Sequence, residues 1–439
     1  MRPRRRSRAA RSRGLAAFAV AVASWAFACG GGGEASDAGH DAASEDVAVV
    51  DASTSDVVDA APDVPVDHWV APLPPYARMP LVDYMGGRLL TAMKTITVSF
   101  AGDDANLIGR LQQLDDTITQ TPWWTAATSE YCELPAGACI GPGSSAGHVV
   151  LNEAAPTSLV DTDDGTGSSV VQLIQDHITS GAFPPPDDQT IYVIYFPPGT
   201  AITFDNDHSC SSFGAYHYSA TFALPDGGTQ EGAYAIEPRC SGESYTTFAA
   251  SHELIEAATD AHPGKKRGWV MQDLAWEYYG GEFGDLCDHP WSFDSMSVTT
   301  IDGGAPFNVE RGWPNASALA GHDPCVVAPS DHPYFNVAPE SGKQLVHLAV
   351  GGSATIELDA FSDGAMPDWT ISASDLGPRF GAGATLSFSL DKTTINAGQT
   401  AHLTVTLTKQ PNVAWVPYVI DSKDGSGHEH TWGADVWLE

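Results

Sequence analysis

Ser251-His252-Glu253-Leu254-Ile255-Glu256-Ala257-Ala258-Thr259-Asp260 carries one histidine and two glutamates within five residues. His252, Glu253 and Glu256 stand at i, i+1 and i+4. On an α-helix, residues four apart lie one above the other on one face. His252 and Glu256 therefore pair one turn apart, and Glu253 points to the side of that pair. The flanks predict a helix over 245–259, with Ser244 as its cap and Phe248, Ala249, Leu254, Ile255 and Ala258 as apolar neighbours. Imidazole and carboxylate are costly to bury unless paired or bound to metal, and both are zinc ligands. The pattern nominates His252 and Glu256 as metal ligands and Glu253 as a catalytic base. The plainer alternative is that all three face solvent.

A third ligand has to come from elsewhere. The segment Gly280-Gly281-Glu282-Phe283-Gly284-Asp285-Leu286-Cys287 offers Glu282 and Asp285 and ranks first. His217, on an expected strand, and His262, ten residues after His252, rank behind it. Pro263 biases His262 toward extended backbone. Glu256, Asp260, Asp273, Glu282 and Asp285 place five carboxylates close together, a set that suits calcium, whereas an imidazole ligand favours zinc. Zinc is the expected cofactor and calcium the alternative.

Two helical ligands one turn apart with a glutamate beside them resemble the HExxH zinc hydrolases, or zincins, with Glu256 in place of the second histidine. His252 to Asp260, Gly268-Trp269, Gly281 to Cys287, and Trp313-Pro314-Asn315 through Asp323-Pro324-Cys325 together resemble a group of exported bacterial proteins carrying a zincin-like helix. That group carries no established activity. The resemblance implies a shared metal site, an α+β zincin-like domain, and a metallopeptidase-like chemistry in which Glu253 serves a metal-activated water. Where the group has Asp-Pro after the threonine, this chain has Asp260-Ala261, with the proline at Pro263.

Outward from the motif, Thr95 to Phe100 alternates apolar and polar residues as a strand does. Asp103 or Asp104 can cap a helix carrying Leu107, Ile108, Leu111, Leu114 and Ile118. A strand near His148 to Leu151 follows, then a helix over 168–179 ended by Gly181. Strands are expected at 190–196, 201–204, 216–223 and 232–236. The order predicts a twisted mixed sheet with a backing helix, the motif helix and an irregular lobe over 264–325. Strand-like runs at 345–350, 354–358, 385–390, 401–407 and 414–420 predict a small immunoglobulin-like β-sandwich. The expected divisions are a signal peptide over 1–29, an acidic linker over 30–67, the metal-binding domain over 68–340 and the sandwich over 341–439. Gly143-Ser144-Ser145-Ala146-Gly147 matches GxSxG, but it leads from a loop into a strand, not from a strand into a helix, and is read as chance. His428, Glu429 and His430 are expected in a solvated loop.

Seven arginines between Arg2 and Arg13 precede an apolar run ending at Cys29, the pattern of an export signal with a lipoprotein-like cleavage box. Residues 30–67 carry acidic, Gly, Ala and Ser residues without Lys or Arg, a composition too poor to bury a core. The chain has 21 basic and 55 acidic residues. Without the seven arginines the balance is 14 against 55, or −41. Such a surface repels nucleic acid and anionic membrane, so membrane contact is expected only through a lipid on Cys29. The expected setting is an exported lipoprotein or secreted protein whose partners are a peptide or protein substrate or a cell-surface polymer. Six further cysteines in an exported chain read as disulfides, pairing neighbours as Cys132–Cys139, Cys210–Cys240 and Cys287–Cys325.

Overall fold

Strand Thr190–Phe196, Thr-Ile-Tyr-Val-Ile-Tyr-Phe, is buried along its whole length, as a strand covered on both faces must be. It is the centre of a five-stranded sheet in the order Ser144–Leu151, Lys94–Phe100, Thr190–Phe196, Thr229–Pro238, Tyr216–Ala223. The first four strands run parallel, and Tyr216–Ala223 closes the edge antiparallel. The computed structural model describes residues 77–439 except 136, 278–280, 288–295, 300–305, 329 and 380. The expected signal, Cys29 and the acidic linker lie outside the described residues.

Helices cover both faces of this sheet, giving an α+β domain. On one face, Ile96, Val98, Tyr192, Ile194 and Tyr234 pack with Val170, Ile174 and Ile178 of helix Ser169–Ser180. Ser168 caps that helix by accepting from the Val171 N–H, and Gly181 ends it at φ +78°. On the other face lie helix Ala105–Thr117, capped by Asp104, and the motif helix Glu243–Thr259. The expected Ser244 cap is not formed: the helix begins one residue before Ser244, after Gly242, without a side-chain cap.

The lobe after the motif helix is built of short pieces. Trp269–Met271 pairs with Val82–Tyr84, and Met296–Thr299 pairs with Phe307–Glu310. All three expected disulfides are formed. The terminal region is a β-sandwich of two sheets. One has the order Phe335–Pro339, Ser353–Ser362, Thr400–Leu407, Leu386–Leu390. The other has the order Leu345–Leu348, Glu429–Leu438, Trp415–Lys423, Trp369–Asp375, Thr394–Ile395. Phe335 on Trp369 and Phe388 on Tyr418 join the two sheets. Phe335–Pro339 pairs with Leu358–Ser362, so the sandwich begins a few residues before the expected 341. Glu429 and His430 belong to a strand, and His430 is buried against Tyr334 and Phe335 rather than solvated. Trp276 meets both Trp313 and Trp432 edge-on, which seats the irregular lobe on the sandwich.

Asp115 fixes helix Ala105–Thr117 to the sheet: its carboxylate accepts from Thr97 Oγ1 at 2.8 Å and Tyr195 OH at 2.9 Å. Burial pushes this carboxyl up to about 7, against the downward pull of those two hydrogen bonds. A raised folded-state pKa gives stability that is full below the unfolded pKa near 4 and is lost as pH rises through about 7. The stability margin of the native chain over Asp115→Asn therefore narrows between about pH 4 and pH 7. Urea denaturation at a series of pH values reads this, and a margin constant across that window contradicts it.

Candidate metal centre

The motif helix is buried on every side from Thr246 to Thr259, which leaves its polar side chains no solvent to face. Strand Phe307–Glu310 lies along it. Ser251 Oγ accepts the Glu310 N–H at 2.8 Å, and Thr247 Oγ1 donates to the Asn308 carbonyl at 2.8 Å. The helix ends at Asp260, whose N–H donates to the Glu256 carbonyl at 2.7 Å. The Asp260 carboxylate folds the following turn back by accepting from the Gly268 N–H at 2.9 Å and Arg267 Nε at 3.2 Å.

His252 and Glu256 converge as the spacing predicts, with His252 Nε2 3.2 Å from Glu256 Oε2. Asp285 Oδ1 stands 3.8 Å from the same nitrogen. The other nitrogen, Nδ1, meets Glu310 Oε2 at 2.5 Å. A carboxylate behind a histidine fixes its tautomer and aims the opposite nitrogen, as in the outer shell of histidine metal sites. Glu256 is held from behind in turn: its Oε1 accepts the Gly284 N–H at 3.1 Å and the Asp285 N–H at 3.0 Å. Only glycine fits at 284, because a Cβ there would lie 2.9 Å from His252 Nδ1 and 3.0 Å from Glu256 Oε1.

His217 enters from the antiparallel edge strand. Its Nε2 faces the Asp260 carbonyl at 3.1 Å. Its Nδ1 lies 3.3 Å from Glu253 Oε2 and 3.6 Å from Glu256 Oε2. Two groups with metal-ligand spacing result, His252–Glu256–Asp285 and His217–Glu256–Glu282, each with its ligand atoms within 4.8 Å of one another. Glu282 also accepts from Arg267 Nη2 at 2.7 Å, which ties it more firmly to protein than Asp285 is. His262 joins neither group. Buried, it faces Glu231 at 3.7 Å, and burial pulls it down to about 4.

The charges do not balance within the protein. Burial lowers the pKa of both imidazoles, but for His252 the charges of Glu256 and Glu310 overcome it, and for His217 the hydrogen bonds to Glu253 and Glu256 do. Both are held well above the usual value. Burial, then Glu256, pushes Asp285 well up, and burial and Glu256 raise Glu282 to about 7. Burial raises Glu256 too, but the charges and hydrogen bonds of His252 and His217 together outweigh it and hold Glu256 below the carboxylate range. A neutral imidazole offers one donor and one acceptor, yet each of these two has an acceptor oxygen at both nitrogens. One position at each ring therefore calls for a proton or a cation. Mixed imidazole and carboxylate donors around it suit a zinc-like dication, with the surplus of oxygens leaving room for a harder ion.

Glu310 is the site residue that sequence reasoning missed. Its one signal is an acid closing a short strand whose Phe307 and Val309 are buried.

No model of a known protein family matches the chain, and no curated protein matches it. Solved structures similar to part of it include a lipoprotein from Bacteroides thetaiotaomicron, at 19% identity, covering 26% of this chain and 86% of that one, with TM-score 0.19. The BIgI domain of beta protein from S. agalactiae, bound to CEACAM1, is similar at 14% identity over 24% of this chain and 97% of that one, with TM-score 0.17. A Bacteroides ovatus GH5 xyloglucanase is similar at 15% identity over 24% of this chain, with TM-score 0.17, and the match spans 19% of the enzyme. Likenesses this partial assign no activity. Among the described residues, no helix is long and apolar enough to cross a membrane.

Replacing Glu310 by Gln removes the charge behind His252 while keeping its volume. Loss of such an outer partner costs about 10–100-fold in metal affinity. Zinc titration of the metal-free chain should show that weakening in Glu310→Gln. Unchanged affinity would detach Glu310 from the centre.

Proposed function

We propose that this protein is an exported, zinc-dependent hydrolase acting on peptide bonds, lipid-anchored through Cys29, with a degenerate zincin-like centre. The observation that carries the reading is the pairing of His252 Nε2 with Glu256 Oε2 at 3.2 Å on one helix face, while Glu310 braces the opposite nitrogen of the imidazole. His252, Glu256 and Asp285 hold the cation, with Glu282 beside them. Zinc, when bound, acidifies a water toward a pKa of about 7 and polarises a carbonyl.

The remaining chemistry belongs to the chain. Glu253, next to the ligand histidine, is not itself in either ligand group and accepts the proton of the attacking water. His217 Nδ1 faces the Glu253 carboxylate at 3.3 Å and fixes its direction. Helix packing and the backbone N–H groups of Gly284 and Asp285 hold Glu256 still while a substrate binds. The sandwich presents the catalytic domain to protein or cell-surface polymer.

Low exposure favours a second reading. His252 is 9% exposed, Glu253 4% and Glu256 3%, and the 284–285 backbone closes on the last. A cation so enclosed serves equally as a structural tie, calcium or zinc, in a non-catalytic surface module. Metal content and turnover separate the two. In the hydrolase reading, Glu253→Gln keeps one bound zinc and lowers kcat by about 100-fold or more. Stoichiometric metal in a native chain that cleaves no peptide, and melts earlier once chelated, selects the structural reading.

A further inference from the structure

We propose a second metal site, for a borderline transition dication such as Zn2+, Ni2+ or Cu2+, formed by Asp331, His332 and His428 where the chain enters the sandwich. Asp331 and His332 lie just before strand Phe335–Pro339. His428 sits in the turn between strands Trp415–Lys423 and Glu429–Leu438. A carboxylate oxygen and two ring nitrogens from these residues come within 4.8 Å of one another. None of the three is shared with the centre on the motif helix.

The histidines are placed with more care than a solvated turn requires. Their rings stack at 3.6 Å between centroids and 9° between planes. Asp424 Oδ2 stands 2.8 Å from His428 Nδ1. Asp424 is itself fixed, because its Oδ1 accepts the N–H groups of Ser426, Gly427 and His428 at 2.8, 2.7 and 2.9 Å. A braced carboxylate behind a histidine sets the tautomer and makes Nε2 the ligating nitrogen. The Asp331 side chain is 74% exposed and lies 3.0 Å from His332 Nδ1, so the site opens to solvent on that side.

Two imidazoles and one carboxylate select a borderline transition ion and disfavour calcium, which takes oxygen donors. Tetrahedral bonds of about 2.0–2.1 Å to nitrogen need donors roughly 3.3 Å apart. Coordination of one ion by both rings requires the exposed Asp331 to rotate and the stack to open at His428, whose side chain is 25% exposed. His430 is no ligand: its ring lies 6.0 Å from that of His332 and packs into the core against Tyr334 and Phe335. A cation held here ties the entering segment to the strand turn and so couples the two lobes.

The test uses the full chain, stripped of metal by a chelator and dialysed against zinc. The native chain should retain one equivalent more than His428→Gln or Asp331→Ala, and zinc should raise its Tm further than theirs. Asp424→Asn keeps the turn and should hold zinc about 10–100-fold more weakly at this site. Only the difference between chains is read, so the result stands whether or not the motif helix binds its own ion. Equal zinc stoichiometry and affinity in the native chain and in Asp331→Ala, whose altered side chain is exposed, overturns the proposal even if His428→Gln misfolds.

Discussion

Glu256 divides its two oxygens between two tasks. Oε1 takes the N–H groups of Gly284 and Asp285, and Oε2 meets His252 at 3.2 Å and His217 at 3.6 Å. One carboxylate thereby joins the motif helix, the edge strand and the acidic loop. A buried carboxylate is tolerated only when its lone pairs are engaged, and each of these elements supplies part of that engagement. Removing any one of them takes away part of that engagement. The disulfide Cys287–Cys325 pins the loop two residues beyond Asp285, so the backbone donors reach Glu256 from a tethered segment.

The surrounding fold follows from delivering these groups to one point. Four parallel strands need crossovers, and the crossover helices cover both faces of the sheet. A final antiparallel strand puts His217 at the edge beside the motif helix. Thr246 to Thr259 are buried on all sides because the sheet, strand Phe307–Glu310 and the acidic loop each take a face. Such a helix derives its stability from packing rather than from propensity or caps, which explains why it begins at Glu243, after Gly242, without a side-chain cap.

Much of this was legible because it is local. The strand periodicity of Thr95 to Phe100, the buried run Thr190 to Phe196 and the Gly181 stop of the helix expected over 168–179 each act within a few residues. Cysteine proximity in sequence sufficed for the three disulfides. The His252–Glu256 pairing was legible for the same reason, since one helical turn sets it. Glu310 was not, because its role depends on a strand from the irregular lobe lying along the motif helix, a contact no local pattern encodes. His217 was legible only as a candidate: its strand was visible, but not the antiparallel edge position that brings it to Glu253. His262 has the spacing of a ligand, but the fold places it against Glu231 and outside both groups. His430 looked solvated because its Gly- and Ser-rich neighbours hide a strand whose partner, Trp415–Lys423, lies before the turn.

Charge is the last constraint on what the centre does. Glu237, Glu253, Glu256, Glu282, Asp285 and Glu310 surround two imidazoles, and Arg267 is bound to Glu282 and Asp260. Protonating both rings answers two of these charges, and a dication ligated by His252 would take the place of that ring's second proton. A site of two imidazoles alone would leave a bound dication strongly electrophilic. Each added carboxylate lowers that electrophilicity while tightening the hold on the ion. On the proposed reading, an ion held by His252, Glu256 and Asp285 would therefore be bound more tightly, and be less electrophilic, than one held by imidazoles alone.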